Sequence, residues 1–351
     1  MNSMKVVLVT GISSYWGARA AARLHLEPDL HVIGLDQNPP CIDIKGLDYV
    51  DVGIENPLLS DFLMAEEVEV ICHLRFLESV EHNVGISAEN VNETKAILEA
   101  GRQAGVRQIV LKSSTAVYGA HADNPALLTE DMLLRGSHSY GYTHDWLEVE
   151  AMAEAFRDEE SETSVAVLRF ANIVGSLADT PFTRFLNQPN PAILLGFDPV
   201  MQLIHEQDVV EAIAYAVLNG ADGPFNIAAE GTMPLTRMLR LIRRLPLPII
   251  HPLAYRSLIQ ARKRKCGRSH QPPLDWDYLR FPWVTDTSKM HSELGFNPTI
   301  ISEEALLEYA GRWSPDLKES EEDVLPPAEA HMREIMQQRE KLRTGKVDTG
   351  E

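Results

Sequence analysis

The residues best suited to chemistry near the start of the chain are Thr10-Gly11-Ile12-Ser13-Ser14-Tyr15-Trp16-Gly17, with an acid following at Asp36. A pyrophosphate needs bare backbone N–H groups and the start of a helix, which is why glycines gather in strand-to-helix turns. Gly11 can make the tight turn and Gly17 the close contact between helix and sheet. Ser14 stands where a further glycine would allow the nearest backbone approach, and Trp16 flanks the turn. Asp36 lies nineteen residues beyond Gly17, where a carboxylate takes both hydroxyls of an adenosine ribose and repels a ribose phosphate. The set predicts NAD, rather than NADP, as the cofactor. Asp36 could instead open the turn Asp36-Gln37-Asn38-Pro39-Pro40, and Asp51 suits either the adenine edge or a turn.

Such groups need a strand before them and a helix after them. Lys5 to Thr10, KVVLVT, is a β-branched run that stops at Gly11, and the small residues from Gly17 onward begin a helix. Further strands are expected at 31–36, 47–52, 68–74, 108–111 and 165–170, with helices at 90–104, 146–156 and 208–218. This alternation predicts an α/β fold, a Rossmann-type doubly wound parallel sheet with right-handed crossovers. Residues 1–175 are expected to form the NAD-binding domain, with 203–230 returning to it. Residues 176–202 and 231–312 would form a smaller substrate-binding lobe, and 313–351 a charged tail with a helix around Ala328 to Lys341.

The chain has 351 residues, 44% hydrophobic and 24% charged, which suits one large or two coupled domains and excludes collagen-like, disulfide-dense or wholly disordered chains. A formal charge of −19 weighs against a nucleic-acid partner. Met-Asn-Ser-Met-Lys runs straight into an apolar strand without signal-peptide regions, and no apolar run approaches the ~18 residues of a membrane span. Cys41, Cys72 and Cys266 are odd in number and lack metal spacing. A cytoplasmic protein without a metal site is expected. Against this acidic background, residues 231–274 hold no acid but ten basic residues, from Arg237 to Arg268. Apolar residues intersperse them across 235–268. The stretch suits a solvated helix face, an anion-binding surface or peripheral contact with an anionic membrane.

Several ordered motifs now carry a resemblance. They are the Gly11 turn, Asp36, Asn90-Val91, Ser113-Ser114-Thr115-Ala116-Val117-Tyr118-Gly119, Tyr140 with its downstream helix, Leu168-Arg169-Phe170-Ala171-Asn172, Ile204-His205-Glu206-Gln207-Asp208 and Glu293-Leu294-Gly295-Phe296-Asn297-Pro298. Together, from about Met4 to Arg312, the chain resembles the extended short-chain dehydrogenase/reductase family, in the NAD-dependent epimerase/dehydratase branch that includes UDP-galactose epimerase. The resemblance implies NAD-mediated hydride transfer at a carbinol carbon of a nucleotide sugar or similar hydroxylated anionic substrate, and a homodimer. It casts Ser114 as the group polarising the oxygen and Tyr140 as the proton carrier. Thr115 and Asn172 match substrate positions, and Asn90 a cofactor position.

Three positions depart from the pattern. His144 stands where the family has a lysine, four residues after the tyrosine; an imidazole of unperturbed pKa about 6.5 is shorter and mostly neutral at pH 7, so it supports a tyrosinate poorly. The implied role of His144 is to donate a hydrogen bond to the ribose in the lysine's place. After the fourth strand His73-Leu74-Arg75-Phe76 replaces small residues, so Arg75 either pairs with the pyrophosphate or, with Phe76, narrows the site. Met201 occupies the place of an arginine that binds the substrate diphosphate. The expectation is a hydride-transferring enzyme, and its alternative an NAD-binding sensor or scaffold that lost the chemistry. His205 and Asp208 read as structural, with Asp208 complementing a helix dipole.

Overall fold

A computed structural model describes residues 4–78, 84–137, 141–159, 162–250 and 274–311. Tyr140, the basic residues of 251–273 and the tail 313–351 lie outside the described residues.

In chain order the first half reads β1 (Lys5–Thr10), α1 (Tyr15–Leu24), β2 (Leu30–Asp36), β3 (Asp48–Asp51), α2 (Leu59–Ala65), β4 (Val70–His73), α3 (Val84–Ala104), β5 (Gln108–Ser114), α4 (Gly141–Glu159) and β6 (Ser164–Phe170). The second half continues with β7 (Asn172–Val174), α5 (Pro181–Leu186), β8 (Ala192–Leu194), β9 (Val200–His205), α6 (Glu206–Asn219), β10 (Gly223–Ile227), β11 (Thr232–Pro234), α7 (Leu235–Leu241), β12 (Leu247–Ile249) and α8 (Ser302–Tyr309). Seven strands form one parallel sheet in the order β10-β6-β5-β4-β1-β2-β3. The winding therefore reverses between β1 and β4, the arrangement of the expected doubly wound Rossmann-type fold. Two small sheets, β11-β9-β7 and β12-β8, stand beside it.

Residue alternation explains why the central strands are apolar along their middles. On β1, Leu8 enters one core with Ile33, Ile71 and Ile109, while Val7 and Val9 enter the other with Val32, Val70 and Val110. Successive side chains point to opposite faces of a strand, and helices cover both faces here, so neither can be polar.

Helix starts differ most from the sequence reading. α1 begins at Tyr15 because Ser14 caps it, its hydroxyl accepting the Gly17 N–H at 3.3 Å. α4 begins at Gly141, ahead of the apolar stripe from Trp146, since its first turn, Gly-Tyr-Thr-His, has no stripe to detect. His205 caps α6 through Nδ1, and Gly220 ends it in the left-handed region at φ 64°. Asp208, in the first turn, accepts from Thr299 N and Oγ1, both at 2.9 Å, and from Ile300 N at 3.1 Å. It therefore anchors the 299–300 segment as well as complementing the helix dipole.

Candidate functional site

The C-terminal ends of the parallel strands place the sequence-predicted residues along one edge. Gly11 follows β1, Asp36 ends β2, Asp51 ends β3, Arg75 follows β4, Ser114 ends β5 and Asn172 opens β7 just after β6. Crevices at this edge, where the winding reverses, are where doubly wound sheets bind ligands.

The turn after β1 is closed to larger residues. Gly11 has φ +76°, and a Cβ there would lie 2.7 Å from the backbone of Arg75; one on Gly17 would lie 2.1 Å from the Gly11 carbonyl oxygen. Ser14 folds back on the turn, its hydroxyl donating to the Gly11 oxygen at 2.6 Å. Trp16 follows in the first turn of α1, partly buried, edge-on to Tyr15. These features fit a dinucleotide: a glycine-lined corner and a capped helix N-terminus.

Asp36 is turned inward. Oδ2 accepts from Ser13 N at 3.1 Å and Ser13 Oγ at 2.7 Å, and Oδ1 from Asn38 N at 3.1 Å, with Arg75 Nη1 3.7 Å away. Three of roughly four acceptor positions are filled, and the side chain is wholly enclosed. A ribose contact at Asp36 therefore requires the groups over it to move. Asp51, opposite Asp36 in the β2–β3 register, is exposed.

Arg75 is spent on carboxylates. It donates through Nε to both oxygens of Glu93, at 2.8 and 2.7 Å, and through Nη2 to Glu89 at 2.5 Å, and its Nη1 lies 3.7 Å from Asp36 Oδ1 as an ion pair. Burial raises the Glu93 carboxyl to about 7, with Arg75 pulling the other way. Asn90 is equally committed, accepting from Leu77 N at 2.9 Å and donating to Leu77 O at 3.1 Å and to Asp145 Oδ2 at 2.9 Å. It clamps the chain leaving β4 against α4. Ser87 donates to the other oxygen of Asp145 at 2.5 Å. Phe76 lies flat on Trp146, with ring centroids 3.5 Å apart.

A cleft with about 520 Å³ of empty space, open solvent included, lies beyond the ends of β5 and β6, lined by Ser114, Asn172, Lys112, Tyr142, Trp146 and Thr180 among others. Ser114 caps the short 3-10 turn at Thr115–Tyr118 by accepting from Ala116 N at 3.2 Å. Thr115 is buried, and the Asn172 amide donates to Gln202 O at 3.1 Å. Burial lifts the Tyr142 phenol far above its ordinary value, which makes it a poor base. His144, on α4, has Nδ1 3.5 Å from Asp145 Oδ1 and Nε2 3.6 Å from Glu148 Oε1. Met201 is buried in the core and brings no charge.

Two further charged residues that the sequence did not single out, Lys112 and Glu78, line the cleft. Lys112, on β5, is only 5% exposed, and its ammonium donates to Glu78 Oε1 at 3.1 Å. The available signal was spacing, since Lys112 and Ser114 stand two apart on one strand and share a face. Behind them Arg169 donates to Glu150 Oε2 through Nε at 2.9 Å and Nη2 at 2.7 Å, and Glu150 also receives the Ser113 hydroxyl. Among the described residues no group of three or more His, Cys, Asp or Glu could hold a metal ion, and no helix is long and apolar enough to cross a membrane.

Known proteins share this fold. The family model described as NAD dependent epimerase/dehydratase family matches residues 7–228. An uncharacterized protein of Mycobacterium tuberculosis is 32% identical over 319 residues, 87% of this chain and 83% of its own. UDP-glucose 4-epimerase of Bacillus subtilis is 30% identical over 199 residues, about half of each chain (52% and 56%). The solved structure of UDP-glucuronic acid 4-epimerase from Bacillus cereus, in complex with UDP-glucuronic acid and NAD, superposes with a TM-score of 0.67 at 17% identity, covering 88% of this chain and 98% of that one. The family match spans more than half of the chain and the fold agrees with it, so the chain belongs to the NAD-dependent epimerase/dehydratase family.

Proposed function

We propose that the chain is an NAD-dependent epimerase, dehydratase or related oxidoreductase that acts on a nucleotide sugar or similar hydroxylated anionic substrate. The observation that carries this reading is the placement of the Gly11–Gly17 turn and Ser114 on one edge of the sheet, flanking the point where its winding reverses. NAD, when bound, supplies a hydride acceptor and donor. The Gly11 turn and the N-terminus of α1 would hold its pyrophosphate, and Asp36, once uncovered, its adenosine ribose. Ser114 would donate a hydrogen bond to the reacting oxygen, Tyr140 would take and return the hydroxyl proton, Asn172 and Thr115 would orient the substrate, and residues 176–202 and 231–312 would form the lobe that covers it.

His144 motivates a second reading, an NAD-binding sensor or scaffold with impaired chemistry. Both of its ring nitrogens face carboxylates of its own helix, so holding a ribose would require it to turn away from them. Tyr140→Phe tests the first reading: turnover of a UDP-hexose should vanish while NAD affinity by calorimetry stays within about twofold. Equal turnover rejects Tyr140 as proton carrier. NAD binding by the unaltered protein without turnover of any nucleotide sugar supports the scaffold, and no NAD binding at all removes both readings.

A further inference from the structure

Lys112 has no counterpart in the reading so far. Its ammonium lies inside the cleft, 5.2 Å from the centroid of the Trp146 ring and 5.5 Å from that of Trp16. Trp16 belongs to the first turn of α1, beside the glycine corner, and Trp146 to α4. Lys112 therefore bridges the phosphate-turn side of the edge and the Ser114 side. An ammonium carries three protons, and among the described residues Glu78 Oε1 takes one of them. The other two have no oxygen or nitrogen acceptor among the described residues, the indole rings being the ammonium's other neighbours.

The surrounding charges strengthen the point. A diphosphate brings two negative charges and is bound in proteins chiefly by cations and backbone N–H groups. The turn from Thr10 to Gly17 has no basic residue. Arg19, two residues past Gly17 on α1, lies over the Tyr15 ring at 4.6 Å, Arg75 after β4 is occupied by Asp36, Glu89 and Glu93, and Met201 is neutral and buried. Lys112 also lines the smaller cavity formed with His73, Arg75 and Phe76. Among the described residues it is the cation that lines both hollows.

We infer that Lys112 is the phosphate-binding cation of this cleft and that Glu78 competes for it: a ligand's diphosphate takes the Lys112 protons that Glu78 does not hold and weakens the Lys112–Glu78 pair. The inference rests on the proposed reading that the chain binds a dinucleotide and a nucleotide sugar, either of which carries the diphosphate.

The test measures NAD and UDP separately by calorimetry on the full chain, for the unaltered protein, Lys112→Met, Lys112→Arg and Glu78→Gln. Loss of a charge-assisted bond predicts roughly tenfold weaker binding for Lys112→Met, partial recovery in Lys112→Arg, and severalfold tighter binding in Glu78→Gln, where the competitor is neutral. A loss confined to NAD assigns the cofactor's diphosphate, and one confined to UDP assigns the substrate's. The opposite signs for Lys112 and Glu78 separate ligand binding from a merely structural ion pair, whose two halves would fail together. Thermal unfolding of each variant checks that it folds. A folded Lys112→Met that binds both ligands as the unaltered protein does, or a Glu78→Gln that binds more weakly, overturns the inference. Failure of the unaltered protein to bind either ligand overturns the proposed function instead.

Discussion

Gly17→Ala sets two elementary effects against each other. Within a helix, alanine is favoured over glycine by about 1 kcal/mol, so α1 taken alone would gain. In the folded chain the new Cβ would lie 2.1 Å from Gly11 O, 2.4 Å from Gly11 C and 2.9 Å from Ile12 N. All three are backbone atoms and cannot rotate aside. An ordinary carbon–oxygen approach is about 3.3 Å, so α1 must retreat by roughly 1 Å from the end of β1. That retreat disrupts the two bonds closing the corner, Ser14 N to Gly11 O at 2.9 Å and Ser14 Oγ to Gly11 O at 2.6 Å. Two bonds at about 1 kcal/mol each, with overpacking strain of about 1–3 kcal/mol, outweigh the propensity gain. The net loss should be about 2–4 kcal/mol.

The assay is urea unfolding of Gly17→Ala beside Gly101→Ala. Gly101 sits in α3, and a Cβ there meets the tips of Ile109 and Ile71, Cδ1 atoms at 3.2 and 3.3 Å. Those methyl groups can shift, so Gly101→Ala should stay within about 1 kcal/mol of the unaltered protein. NAD affinity should fall in Gly17→Ala, whose helix N-terminus has moved, and hold in Gly101→Ala. A Gly17→Ala protein as stable as its parent would refute the claim that the corner is closed by backbone contact.

Other expectations concern buried charge. Burial pushes His73 down to about 4, where it bridges Thr10 and Thr94. Unfolded, it takes a proton below about 6.5, so the unfolded state binds more protons between the two values and stability falls as pH drops through that window, by about 3 kcal/mol in all. His73→Gln should flatten this part of the stability profile measured by urea unfolding at pH 4.5 and 7, and an unchanged slope would assign the acid sensitivity elsewhere. Arg169→Met leaves Glu150, 3% exposed, without its partner, and should cost about 3–5 kcal/mol. Adding Glu150→Leu should recover most of that loss; if the double variant is no better than the single, the cost is one of packing and not of uncompensated charge.

Strands β1 to β6 were the legible part of the chain, because burial on both faces leaves nearly unbroken apolar runs such as Val7 to Val9 and Val70 to Cys72; β9 and β10, interrupted by Gln202, Pro224 and Asn226, were not, and the order of strands in the sheet was not marked either. The short strands β7, β8, β11 and β12, each of three residues, carry too little pattern to show a period. At the site, glycines declared themselves because their reason is local: the corner after β1 needs a positive φ and bare backbone. Polar side chains did not, because their partners are distant in sequence. Asn90 looked like a cofactor contact by motif order, yet its amide holds Leu77 and Asp145, which lie 13 and 55 residues away.

The same reasoning applies to the positive charges along the edge. Arg75 was conspicuous, an arginine where small residues are usual, and its two sequence readings were a pyrophosphate contact or a steric plug. Folding gives it a third use, because α3 presents Glu89 and Glu93 one turn apart on the face that passes β4, and Asp36 arrives from the next but one strand of the sheet. Three acids around one guanidinium leave no excess positive charge for a phosphate. Lys112 was inconspicuous because it falls just past the apolar run 108–111, while β5 continues to Ser114. It sits in the interior of the sheet order, with β4 and β6 on either side, and near the C-terminal end, so its stem is enclosed while its ammonium reaches the cleft. Burying such a charge is costly unless it is paired, and Glu78 pairs it. A pair that can be reopened by a stronger anion is a reason for a lysine to persist there that packing alone does not supply.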